Sequence, residues 1–106
     1  MYKIEWAIIN RNLEMLTWLK KNGVILDENT FAYAAVHGSL ENMIWLEEHA
    51  CPWNNTIFRL TALYGSLKNM IWLKEHECPW DEHTFSYAVF YGSIGNMIWL
   101  KENGCI

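Results

Sequence analysis

The sequence predicts an all-α fold, an α-solenoid of about four stacked helix-turn-helix units, on three observations. Gly38–Trp53 (GSLENMIWLEEHACPW) and Gly65–Trp80 (GSLKNMIWLKEHECPW) agree at 13 of 16 positions at a spacing of 27. A shortened copy from Gly92 (GSIGNMIWLKENGCI) and a worn one at Arg11–Leu26 (RNLEMLTWLKKNGVIL) carry the same period to both ends of the 106 residues. Trp18, Trp45, Trp72 and Trp99 then fall in one column and Leu19, Leu46, Leu73 and Leu100 in the next, without a gap. Within a unit the apolar residues recur at helical spacing between helix starts and stops. One repeat domain results, with units at 1–26, 27–53, 54–80 and 81–106.

Each element of the unit has a cause. Asp27, Asn54 and Asp81 stand at one phase, where an oxygen-bearing side chain accepts from the unpaired amides of a helix start. The helix that follows Asp27 carries Phe31, Ala34 and Ala35 at i, i+3, i+4 and ends near Gly38. Ser39 caps a second helix with Leu40, Met43, Ile44, Trp45 and Leu46 as its apolar content and Glu47 and Glu48 turned outward. Gly23 and Gly104 end this helix in the outer units, where a left-handed residue is needed. Ala50 and Glu77 take that place in the inner units and either strain the turn or close it differently. Pro52 and Pro79 forbid continuation, and Trp53 and Trp80 fold back over the junction, partly exposed. A hairpin of two helices of about ten residues cannot bury both its faces alone, whereas four in a row share one core.

Composition excludes several classes. Hydrophobic residues make up 52% of the chain, ample for a core, and two prolines and six glycines speak against disorder. The net charge is −4 and the units alternate in sign, from +2 in the first to −5 in the second, so nucleic acid is not an expected partner. No stretch reaches the roughly 18 apolar residues of a membrane helix, and the N-terminus lacks the order of a signal peptide, so a soluble, cytoplasmic protein is expected. Cys51, Cys78 and Cys105 are separated by the repeat itself, and rungs about 10 Å apart exceed the disulfide limit of ~7 Å. Three free, half-buried thiols in a reducing compartment are the expectation.

The frame resembles the ankyrin repeat. Asn29–Trp53 (NTFAYAAVHGSLENMIWLEEHACPW) aligns without gaps to the family pattern T-P-L-H-x-A-A-x-x-G-x-L-E-x-V-x-x-L-L-x-x-G-A-D-V. The wording is similar to divergent arrays of large DNA viruses of amoebae and of some protists, which would place the protein in host cytoplasm. Two residues separate Trp53 from Thr56, so the β-hairpin finger of the usual repeat of about 33 residues shrinks to a bare turn. The Thr-Pro pair is lost, and the family histidine that ties neighbouring turns is replaced by Ala32, Arg59 or Ser86. Cohesion between rungs is therefore expected from Trp45, Trp72 and Trp99. Ile106 ends the sequence where another unit would begin, which leaves the last face open to an oligomer, a partner or further sequence.

Chemical readings are weaker than structural ones. His49 with Cys51, and His76 with Cys78, supply two zinc-type donors per rung, but a tetrahedral site needs four, and a cysteine nucleophile has no recurring third group. The simpler reading puts the histidine at a helix end and the cysteine in an apolar slot. Trp18, Trp45, Trp72 and Trp99 are read as core rather than as a cofactor box, and Glu41, Glu47 and Glu48 as a solvated face. No metal, cofactor or catalytic residue is assigned.

The first helix is the variable one: Asn54–Tyr64 and Asp81–Tyr91 agree at just Phe58/Phe85 and Tyr64/Tyr91. The resemblance implies that the two residues before the helix-ending glycine face a concave partner-binding groove. These are Val36 and His37, Leu63 and Tyr64, Phe90 and Tyr91, with Ile9 and Asn10 as the worn counterpart. The competing reading tucks Val36, Leu63 and Phe90 beneath the next unit. A non-catalytic protein-binding module, such as a scaffold or adaptor, is the expected function. The alternative is a structural or self-associating fragment of a longer array, with homo-oligomers formed through uncapped ends.

Overall fold

A computed structural model describes residues 4–105; Ile106, to which the expectation of an open end was attached, lies outside them. The chain is all-α, and no strand occurs among the described residues. Its helices are α1 (Ile4–Ile9), α2 (Leu13–Lys21), α3 (Glu28–His37), α4 (Leu40–Glu48), α5 (Thr56–Tyr64), α6 (Leu67–Glu75), α7 (Glu82–Tyr91) and α8 (Ile94–Glu102). Consecutive helices pair as α1·α2, α3·α4, α5·α6 and α7·α8. The odd helices also pack on one another in order, α1 on α3 on α5 on α7, while α4, α6 and α8 touch along the other side. The body measures 43 × 21 × 17 Å, long in one direction as such an arrangement requires.

The caps explain where the helices begin. Asp27 accepts from the Thr30 amide at 3.0 Å while the Thr30 hydroxyl accepts from the Asp27 amide, and Asp81 repeats this with Thr84. The third unit has buried Ile57 where the second and fourth have threonine. Its Asn54 turns instead to the Thr56 amide at 3.0 Å and hydroxyl at 2.6 Å, so α5 starts one residue later and Asn55, not Asn54, is its N-cap. Ser39, Ser66 and Ser93 cap α4, α6 and α8.

The second helix of every hairpin ends in the same turn. The Cys51 amide reaches back to the Leu46 carbonyl and the Ala50 amide to Glu47, and Gly23, Glu77 and Gly104 close theirs by matching bonds. The turn therefore does not close differently in the inner units. Ala50 and Glu77 carry φ of 58° and 63° beside 90° and 85° at Gly23 and Gly104. A side chain in this left-handed region costs about 1–2 kcal/mol, which the surrounding stack absorbs.

The glycine between the two helices serves another purpose. Gly65 is extended (φ −89°), and a Cβ there would lie 2.8 Å from the Ala35 carbonyl oxygen of the preceding hairpin and 2.7 Å from Thr61 Cγ2. Its absence lets the hairpins approach, and this approach brings a buried asparagine into reach. Asn69 Nδ2 donates to the carbonyls of Ala35 (3.0 Å) and Gly38 (3.2 Å), and Asn96 Nδ2 to those of Ala62 and Gly65 (both 3.1 Å). Cohesion between rungs thus rests on an asparagine clamp as well as on tryptophan. Asn42, at the same phase, lacks this bond, and its buried Nδ2 has no partner. The first hairpin turns through left-handed Arg11 (φ 53°), whose amide already occupies the Ile8 carbonyl that Asn42 would use.

The tryptophan column is only partly core. Trp45 and Trp72 are each 7% exposed and Trp99 is half-buried, but Trp18 is 56% exposed. Two of them meet the loop tryptophan of the hairpin before: Trp53 meets Trp72 edge-on at 6.0 Å and Phe31 at 5.0 Å, and Trp80 meets Trp99 at 6.1 Å and Phe58 at 5.5 Å. Leu26 stands at that phase before Trp45, whereas Trp18 has no hairpin before it among the described residues. Ile44, expected among the apolar content of its helix, is likewise 37% exposed because it lies on the outer flank.

If the clamp holds the hairpins together, Asn69→Ala leaves two carbonyls without their buried donor and lowers stability by about 2–3 kcal/mol. Urea denaturation followed by far-UV circular dichroism measures the loss.

Candidate functional site

The odd helices differ most in sequence between units and form one continuous layer, so the surface they expose is where the units differ. At the helix ends His37 is exposed, Tyr64 is 66% and Tyr91 70% exposed, and Asn10 extends the column. The structure therefore brings His37, Tyr64 and Tyr91 to the surface on successive helices. Val36 and Leu63 are half-buried, whereas Phe90 is 77% exposed.

A second column lies one helical turn earlier. Trp6, Tyr33, Leu60 and Tyr87 precede Asn10, His37, Tyr64 and Tyr91 by four residues, a spacing that puts both sets on one helix face. Trp6 and Tyr87 are 41% and 40% exposed, and Tyr33 and Leu60 are half-buried. The Tyr33 and His37 rings lie 4.7 Å apart, and those of Tyr87 and Tyr91 6.4 Å. Arg59 joins two rungs of this face: its guanidinium carbon sits 5.3 Å from the Tyr87 ring centroid and Nη1 3.8 Å from Asp81 Oδ2. The result is a stripe of rings braced by one cation. Sequence reasoning missed the second column, although its common phase was visible in the aligned units.

The histidine and cysteine positions are occupied structurally. His49 and His76 stack on Trp45 and Trp72 with ring centroids 3.9 Å apart, and each Nδ1 lies 2.8 Å from that tryptophan's carbonyl and so carries the proton. Cys51, Cys78 and Cys105 are free and buried, more deeply than the half-burial expected, since each sits by the backbone near the start of its own hairpin's first helix, at Phe31, Phe58 and Phe85. The Cys51 thiol donates to the Asp27 carbonyl at 3.3 Å. Burial, with the Asp27 charge adding to it, pushes the Cys51 thiol from 9.0 to about 11, and burial pushes Cys78 up to about 11. Such thiols are protonated at neutral pH and are poor nucleophiles. Among the described residues no three His, Cys, Asp or Glu side chains converge as metal ligands, and no helix is long and apolar enough to cross a membrane.

No protein-family model matches the chain, and no curated protein or solved structure is significantly similar to it.

The raised thiols make the fold alkali-sensitive. The folded state holds these protons more tightly than the unfolded chain, so the contribution is complete below pH 9.0 and is lost as pH rises towards about 11. Over that range the wild type loses more stability than the Cys51→Ala/Cys78→Ala variant, as denaturation at stepped pH measures.

Proposed function

We propose that the chain is an ankyrin-type α-solenoid acting as a non-catalytic protein-binding module inside the cell. The observation that carries this reading is the stripe of exposed rings, Tyr64 and Tyr91 foremost, at constant phase on successive odd helices of one body. Rings held on packed helices lose little freedom on binding, and tyrosine, tryptophan and arginine are the residues that anchor interfaces. The near-constant second helices hold the stack while the variable first helices write the surface, an economy suited to recognition. The ankyrin reading rests on the ungapped frame and on the paired helices joined by short turns. The partner is another protein, neither nucleic acid nor membrane.

Affinity purification with the wild type, followed by titration of the retrieved protein, tests the surface. Tyr64→Ala/Tyr91→Ala keeps the thermal midpoint, because both side chains are largely exposed, and weakens binding at least about thirtyfold. Equal affinity of the two forms would refute the assignment.

A further inference from the structure

Gly38–Trp53 and Gly65–Trp80 differ at three places, and two of these reverse a charge: Glu41 is answered by Lys68 and Glu47 by Lys74. Both places belong to one surface. On α4, Leu40 and Ile44 stand four residues apart and form an aliphatic stripe, which Leu67 and Ile71 repeat on α6. Ile44 and Leu67 are 37% and 38% exposed, and Leu40 and Ile71 are half-buried. At 3.6 residues per turn the residues three before and three after Ile44 flank its stripe, and these are Glu41 and Glu47. Lys68 and Lys74 flank Ile71 in the same way. All four charged side chains are exposed. The two faces are therefore alike in shape and opposite in the charge of their rims.

Packing within the chain does not pair these charges. None of the four forms an ion pair among the described residues; Glu41 feels Arg11 and Lys68 at longer range, and the Lys74 ammonium lies 4.0 Å from the Trp80 ring centroid. A solenoid grows along its axis, whereas this flank faces sideways, so further units of the stack would leave it open.

We propose that this flank is a dimer interface whose occupant is a second copy of the chain, related by a two-fold axis between α4 and α6. Then α4 of one copy lies on α6 of the other and symmetry repeats the contact, so both pairings set an acid-rimmed stripe against a lysine-rimmed one. The middle two of the four second helices are the ones with opposite rims, as an axis through the centre of the body requires. Packed helices cross at an angle, so contact centres on Ile44 and Ile71 while the like-charged Glu48 and Glu75 at the helix ends diverge. The rings of the odd helices belong to the other layer and stay available to the partner proposed above.

Sedimentation velocity on the intact chain tests the interface. The wild type dimerises, less so at high salt, and Glu41→Lys/Glu47→Lys and Lys68→Glu/Lys74→Glu each weaken the dimer at least about tenfold without loss of helicity. Mixing the two double variants restores association, because each supplies the charge the other has lost. Attraction between neighbouring hairpins of one chain is not restored by mixing, so this arm separates it from contact between copies. Wild type that stays monomeric at millimolar concentration would overturn the proposal, as would a dimer that neither double variant weakens, or a mixture that associates no better than its parts. If a double variant loses helicity by circular dichroism, its single substitutions are read the same way.

Discussion

Everything in this molecule depends on how one hairpin grips the next, and the grip is a side-chain amide with two carbonyls to satisfy. Asn69 and Asn96 are each 2% exposed, so their donors have no recourse to water. A buried amide left unpaired costs more than a typical hydrogen bond contributes, which makes the interaction selective for register as well as stabilising. A slip of one residue would leave the amide and both carbonyls orphaned. The apolar layer of Phe31, Phe58, Ala35 and Ala62 tolerates sliding far better, so shape alone would specify the stack less sharply.

The glycine, the serine and the asparagine of Gly-Ser-x-x-Asn act as one device. Gly65 removes the Cβ that would strike the Ala35 carbonyl, Ser66 turns the chain into α6 by accepting from the Asn69 amide, and the Asn69 side chain spans the junction. Where the device is worn, at Arg11-Asn12-Leu13-Glu14-Met15, two consequences appear together. The turn becomes left-handed and Asn42 loses its acceptors. The first hairpin accordingly depends on Ile8 and Leu16, both fully buried, rather than on the clamp.

The repeat period alone made helix order, caps and most of the core legible, because each unit corroborates the others: Asp27, Ser39, Phe31 and Leu46 all stand where their phase implied. Failures arose where a residue's environment is supplied by a neighbour. Trp18 shares its column with Trp72 but has no hairpin before it among the described residues, and Ile57 displaces the start of α5 by occupying the place of Thr30. Asn69 sat in plain view within the constant segment, yet its targets lie 34 and 31 residues away, beyond what local pattern reveals. At the candidate surface, Tyr64 and Tyr91 follow from the frame, whereas the contribution of Tyr33 and Tyr87 emerges from ring distances.

The central claim is the amide clamp, and nuclear Overhauser contacts of the asparagine side-chain amides in the intact chain report on it most directly. The Asn69 Nδ2 protons are predicted to show contacts to Ala35 and Gly38, and those of Asn96 to Ala62 and Gly65, with slow exchange against solvent in both. Contacts confined to the asparagine's own hairpin, with exchange at the rate of a free amide, would contradict the account.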